Sequence, residues 1–149
     1  MNLRFTYLNR NHLNLLEEWH KDEETEIRIG IDDLEEWFSF VNSSADYLVW
    51  IISDGDEQVG ELSVEMTDYK TASISYVINP IRRNRGYGKA ILKQMPHLKA
   101  LLHIEVFEAW VDDDNVPSLI CLERTGFVRA CEEADEDGLY HYILTRSDK

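Results

Sequence analysis

The stretch INPIRRNRGYGK, residues 78–89, decides how the rest of the chain is read. It leaves an apolar run at Ile78, passes Pro80, gathers Arg83, Arg85 and Lys89, and enters a helical pattern through Gly86 and Gly88. Glycines at such a junction remove side-chain obstruction, so backbone N–H groups at the start of a helix can converge on a diphosphate. The cations add charge if they point the same way. By itself the pattern also fits a plain strand-to-helix connection.

Upstream of this junction, TASISYVINP (71–80) reads as a strand that Pro80 stops. Before it, VGELSVEMTD (59–68) alternates, which puts Leu62, Val64 and Met66 on one face and Glu61, Ser63 and Glu65 on the other. YLVWIIS (47–53) is a compact apolar strand closed by the turn residues DGDEQ. The chain opens with a strand, LRFTYL (3–8), and a helix, NHLNLLEEWHK (11–21), for which Asn11 is the expected cap and Leu15 and Trp19 part of the packing face. DEETEIRIG (22–30) reads as a polar connection. It leads to a second helix, DDLEEWFSFV, capped by Asp32 or Asp33, with Leu34, Trp37, Phe38 and Val41 as its apolar stripe.

Downstream, residues 81–95 turn into a helix that Pro96 ends, and HIEVFEAWV (103–111) is a further strand. DDDN bounds a helix over VPSLICLERTGF, with Gly126 as its terminator. FVRACEE and LYHYILTR pair as a hairpin across DEDG. Trp50 and Trp110 are expected in strand cores and Trp19 and Trp37 on helical apolar faces. The order is α/β, and residues 1–149 read as one domain without repeat or linker.

Composition bounds the function. Fifteen Lys and Arg against twenty-nine Asp and Glu give a net charge of −14, which argues against a broad nucleic-acid surface and favours encounter with cations. Charge comes too early for a secretory segment, and no apolar run nears the roughly 20 residues that span a bilayer. A cytoplasmic protein with no membrane partner is expected. With only Cys121 and Cys131, a disulfide scaffold is not. His12, His20, His97, His103 and His141 form no compact ligand pattern, so no metal is expected.

At Arg83–Asn84–Arg85–Gly86–Tyr87–Gly88 the chain resembles the GCN5-related N-acetyltransferase (GNAT) superfamily, whose phosphate motif is Arg or Gln, two residues, Gly, one residue, then Gly or Ala. The resemblance runs on to Asn115 and Ser118 and to the strand pair that follows. It implies a single-domain fold with a central mixed, mostly antiparallel twisted sheet and flanking helices, and acetyl-CoA as cosubstrate. Residues 83–89 would hold the pyrophosphate, Val77 and Ile78 would offer backbone groups to pantetheine or the acyl carbonyl, and Asn115 and Ser118 would lie beside pantetheine. Many members place Tyr where this chain has Leu122, so no tyrosine acid can be carried over at that position. Tyr140 and Tyr142 are alternatives for that role, though ordinary strand positions explain both.

Within that resemblance the reaction is acetyl transfer to a primary amine, direct rather than through Cys121, whose surroundings favour packing. Glu61 and Glu65 are the expected bases, because one strand face carries both. The strand before the phosphate motif, ASISY, lacks the carboxylate that some histone-acetylating relatives use. A cationic small molecule is the favoured acceptor, with protein N-terminal or ribosomal-protein acetylation and a non-catalytic acyl-CoA sensor as the alternatives. A homodimer stays open.

Overall fold

Leu3–Tyr7 forms β1, which pairs antiparallel with β2 (Tyr47–Asp54) from Leu3↔Asp54 to Tyr7↔Trp50. The computed structural model describes residues 1–28 and 31–146, and the chain falls into two units. The first comprises Met1–Ser63 with Tyr76–Tyr87, and the second Val64–Ser75 with Gly88–Lys149.

In the first unit, helix α1 (Leu13–His20) follows a 3-10 turn over Arg10–His12. Asn9, not Asn11, caps this entrance. Asn9 has the extended backbone a cap needs, its side chain accepts from Asn11 N–H at 2.9 Å, and its own N–H donates to His12 Nδ1 at 3.0 Å. Asn11 lies inside the turn and cannot play that part. Leu16, Trp19 and Ile51 form a buried cluster, with Leu8, Leu15, Leu34 and Trp37 packed against it. Burying such side chains contributes about 1.5–3 kcal/mol each, so Trp19 fixes the end of α1 against β2.

The expected connection at 22–30 is instead largely a helix, α2 (Glu23–Arg28). Asp22 accepts from Thr25 N–H at 3.2 Å, and Glu23 and Glu24 favour the positive end of the helix dipole. Ile29 and Gly30 of that segment lie outside the described residues. Helix α3 (Leu34–Ser43) starts at Asp33, whose carboxylate accepts from Glu36 N–H at 3.1 Å, and buries Phe38 and Val41.

Among the described residues the sheet is seven-stranded, with β5 (Val106–Asp112), β6 (Val128–Arg129) and β7 (Leu139–Thr145) in the order β1-β2-β3-β4-β5-β7-β6, and both β3 (Glu57–Met66) and β4 (Thr71–Ile78) contribute residues to each unit. In the second unit β4 runs parallel to β5 (Val106–Asp112), from Thr71↔Val106 to Ser73↔Glu108. After helix α4 (Tyr87–Gln94) a 3-10 turn holds Pro96, which bars further helix. Helix α5 (Val116–Arg124) stops where Gly126 takes φ +102°, its N–H reaching the Glu123 carbonyl at 3.3 Å. The hairpin is short on one side: β6 is only Val128–Arg129, paired antiparallel with β7 (Leu139–Thr145). β7 pairs antiparallel with β5 along its whole length, from Val106↔Thr145 to Asp112↔Leu139.

Phe107, Leu122, Tyr142, Ile91 and Leu92 make the core of the second unit. Trp110 does not join it. It is 45% exposed and stacks face to face on His141 at 4.3 Å, because outward positions of β5 and β7 stand opposite each other at Trp110↔His141. The architecture is the expected α/β one, a mixed sheet with flanking helices. Among the described residues, no helix is long and apolar enough to cross a membrane.

Candidate functional site

The junction at 78–89 is shaped by backbone conformation and by side-chain anchors. Asn79 starts it: its N–H donates to the Val59 carbonyl at 2.8 Å, its amide nitrogen to the Gln58 carbonyl at 3.0 Å, and its side-chain oxygen accepts from Ile81 N–H at 3.2 Å. Asn84 then takes φ +64° and Gly86 φ +85°. Two left-handed residues separated by one residue turn the backbone sharply just before α4, the kind of path that can bring N–H groups to a common side. A methyl on Gly86 would meet only Met1 Cε, at 3.6 Å, so the constraint there is the dihedral angle rather than space.

The basic residues of this stretch divide into two sets. Arg82 pairs with Glu57, and Arg83 donates to Asp22 Oδ2 at 2.6 Å and to Thr25 Oγ1 at 3.1 Å. Both guanidinium groups thus hold the loop to its neighbours. Arg83 depresses the Asp22 carboxyl below its ordinary range, against an opposing push from burial. Tyr87 is anchored likewise, its hydroxyl donating to Asp54 Oδ2 at 2.7 Å. That bond lowers the Asp54 carboxyl and raises the Tyr87 phenol. Arg85 and Lys89 are exposed, and the first turn of α4 carries no acidic residue. A left-handed glycine, the start of an eight-residue helix and two exposed cations fit a diphosphate.

Val77 is buried and Ile78 half-buried at the end of β4, beyond the Thr71–Ser73 stretch that pairs with β5. Asn115 is the N-cap of α5, its carbonyl accepting from Leu119 N–H at 3.1 Å, and its side chain makes no capping bond. Ser118 is half-buried in the first turns of the same helix.

The two glutamates of β3 meet different surroundings. Glu65 is exposed near the strand's end. Glu61 is 3% exposed, and its Oε1 lies 3.1 Å from Nε2 of His20, the last residue of α1. Sequence alternation places both on one parity but is blind to this difference, because residues 59–64 are buried on both faces of the strand. His20 belongs to no motif in the sequence. Its partner is 41 residues away, and the cue that could have led there is the helix-terminal histidine directly after the core anchor Trp19.

Leu122 is fully buried, and its side chain has no proton to give. The Tyr142 hydroxyl donates to Glu123 Oε2 at 2.5 Å and accepts from Arg129 at 3.2 Å. Burial first, then the Glu123 contact, raises its phenol above the usual value. Tyr140 lies under the Arg129 guanidinium, 3.8 Å from ring centre to Cζ. Cys121 is half-buried, Cys131 is exposed, and neither forms a disulfide among the described residues. Among the described residues no group of three His, Cys, Asp or Glu side chains is arranged to hold a metal ion.

Comparison with known proteins bears on the family and the fold. Residues 2–128 match the family model described as the acetyltransferase (GNAT) domain. Across 142 residues the chain is 32% identical to the uncharacterized N-acetyltransferase YfmK of Bacillus subtilis (strain 168), covering 95% of each protein. The spermidine N-acetyltransferase of Vibrio cholerae, solved with CoA and spermine, superposes with a TM-score of 0.83 at 15% identity, over 96% of this chain and 95% of that one. AAC(6')-Ib, solved with paromomycin and acetyl-CoA, gives a TM-score of 0.83 at 16% identity, over 98% and 94%. At these identities the two structures speak for the fold. The family match and the Bacillus relative carry the assignment: the chain belongs to the GNAT family of acetyltransferases and is an acetyl-CoA-dependent N-acetyltransferase.

Proposed function

We propose that this acetyltransferase moves the acetyl group of acetyl-CoA onto the primary amine of a small cationic molecule. Glu61 carries the reading. It is a carboxylate 3% exposed in the middle of β3, engaged through Oε1 by one imidazole. The hydrogen bond to the ring takes up Oε1 alone and leaves Oε2 as the oxygen to meet an acceptor. A carboxylate placed this way can bind an ammonium and take its proton. The net charge of −14 favours arrival of cations. The Vibrio enzyme holds spermine and AAC(6')-Ib an aminoglycoside, which makes polyamines and aminosugars the first acceptors to try.

In this reading the backbone of residues 83–89, aided by Arg85 and Lys89, holds the pyrophosphate, and Arg83 keeps the loop in shape. Val77, Ile78, Asn115 and Ser118 serve pantetheine, as the family resemblance implies. Glu61 removes one proton from the ammonium and passes it to solvent. The nitrogen lone pair forms the C–N bond, the C–S bond breaks, and sulfur leaves with the electron pair. The nitrogen's second proton reaches that sulfur through water, since Leu122 has none to donate.

A panel of spermine, spermidine, kanamycin and a peptide with a free N-terminus, each supplied with acetyl-CoA, tests the proposal. Free thiol and the mass of the product are measured together. Turnover with a polyamine or aminosugar is expected. Acetylation of the peptide alone would move the acceptor to protein termini, and acetyl-CoA binding without turnover on any amine would make the chain a sensor.

A further inference from the structure

We infer that His20 is a positioning residue for acetyl transfer: its Nε2–H holds Glu61 Oε1 and so directs Oε2 to the acceptor amine. This rests on the reading of Glu61 as the base. The two side chains are 8% and 4% exposed and 3.1 Å apart, and they come from different elements of the first unit, α1 and β3. A buried carboxylate is costly unless a donor meets it. His20 is that donor.

The opposite face of the ring defines the proton arrangement. Nδ1 of His20 is buried and has no hydrogen-bond partner among the described residues. An imidazolium would bury an unmet N–H of a charged group there, which costs more than an unmet lone pair. A ring that carries Nε2–H toward Glu61 and leaves Nδ1 bare buries no unmet donor. Such a ring can donate to Glu61 without taking its proton. The site then has one base, Glu61, and one fixed donor behind it.

Rigidity comes from the residue before. Trp19 is 3% exposed and packs with Leu16 and Ile51, so the last turn of α1 is held to β2 and His20 cannot swing away without disturbing the core. The carboxylate is thereby fixed by packing as well as by the strand, as a base within reach of its substrate needs to be.

Glutamine and asparagine at position 20 separate positioning from packing. Gln can put its amide nitrogen near the Nε2 position, whereas Asn reaches only that of Nδ1. On the best acceptor of the panel, His20→Gln should keep kcat within about threefold, and His20→Asn should lose about tenfold or more in kcat with the KM for acetyl-CoA unchanged. Combined with Glu61→Gln, His20→Asn should add no further loss. Equal activity of both His20 variants, or equal loss in both with folding intact by thermal melt, overturns the inference while leaving Glu61 in place. An unchanged rate in Glu61→Gln alone overturns the base reading instead. Nitrogen NMR of the His20 ring supplies a readout that needs no acceptor: Nε2 protonated and Nδ1 bare is expected, and a proton on Nδ1 would refute the geometry.

Discussion

Nη2 of Arg83, the first residue of the glycine motif, donates to Oδ2 of Asp22 at 2.6 Å, and that same oxygen caps α2 through Thr25 N–H at 3.2 Å. A cation that the motif would assign to phosphate is therefore committed to a carboxylate, and it joins the start of α2 to the loop before α4. Asp22→Asn should lower stability at neutral pH by no more than about 1 kcal/mol, because both groups keep partial exposure, and the melt should read it as a lower thermal midpoint. Its sign with pH follows from the depressed Asp22 carboxyl. The stabilisation is present above the ordinary aspartate value and is lost as pH falls through the lower, folded one. Melts of the wild type and of the variant should converge below about pH 4. A constant gap across the whole range would mean that Asp22 acts by something other than its charge.

Gly86 and Gly88 separate in what a methyl group would do. Gly86 has φ +85°, so Gly86→Ala forces a left-handed alanine at a cost of about 1–2 kcal/mol, and the loop should rearrange with a tenfold or greater loss of acetyl-CoA affinity. Gly88 lies within α4, where alanine is the better helix former. Any loss in Gly88→Ala would come from blocking the approach of the phosphates. Calorimetric titration with acetyl-CoA on both folded variants measures the two effects. Unchanged affinity in both would remove residues 83–89 from the phosphate site.

Tyr142 is held on both sides, by Glu123 and by Arg129, and its phenol is raised. A group in that state is a poor proton donor to a leaving sulfur near neutral pH. Tyr142→Phe should keep kcat within about threefold and lose about 1 kcal/mol of stability with the hydrogen bond. A loss of a hundredfold in kcat, with folding intact, would restore Tyr142 as the acid.

The elements legible in the sequence were those whose signals are local. Asp33 before Leu34, the alternation in residues 59–66 and the glycine junction each contain their cause within a few residues, and the structure shows the elements they specify. The cap at the entrance to α1 is Asn9 rather than Asn11, because the two are equally good candidates in sequence and the 3-10 turn at Arg10–His12, which precedes α1, takes in Asn11. α2 carries no apolar period, since five of its six residues are polar and Ile27 stands alone, although Asp22 three residues before Thr25 is a readable cap. The pairs Arg83–Asp22 and His20–Glu61 span 61 and 41 residues, and no periodicity encodes such contacts.

Burial separates the two glutamates of β3, and the difference leads to opposite expectations. Glu65 is exposed, while Glu61 is 3% exposed and engaged by His20. Glutamine replaces either at nearly constant volume and removes the ability to ionise, so it tests the proton step rather than the packing. Glu61→Gln should bind acetyl-CoA normally yet lose about a hundredfold or more in kcat near neutral pH. Glu65→Gln should stay close to wild type. An alkyl ammonium resembles the lysine side chain, with an ordinary value near 10.4, so at neutral pH only a small fraction is free base. Without a residue to take the proton, transfer draws on that fraction alone, and the Glu61→Gln rate should climb about tenfold per pH unit between pH 7 and 9. The wild type should rise less steeply over the same interval. Initial rates at saturating acetyl-CoA, checked by melts to show the protein is folded across the range, give both profiles. Parallel profiles for Glu61→Gln and wild type would remove Glu61 from the proton step and leave deprotonation of the amine to water before binding.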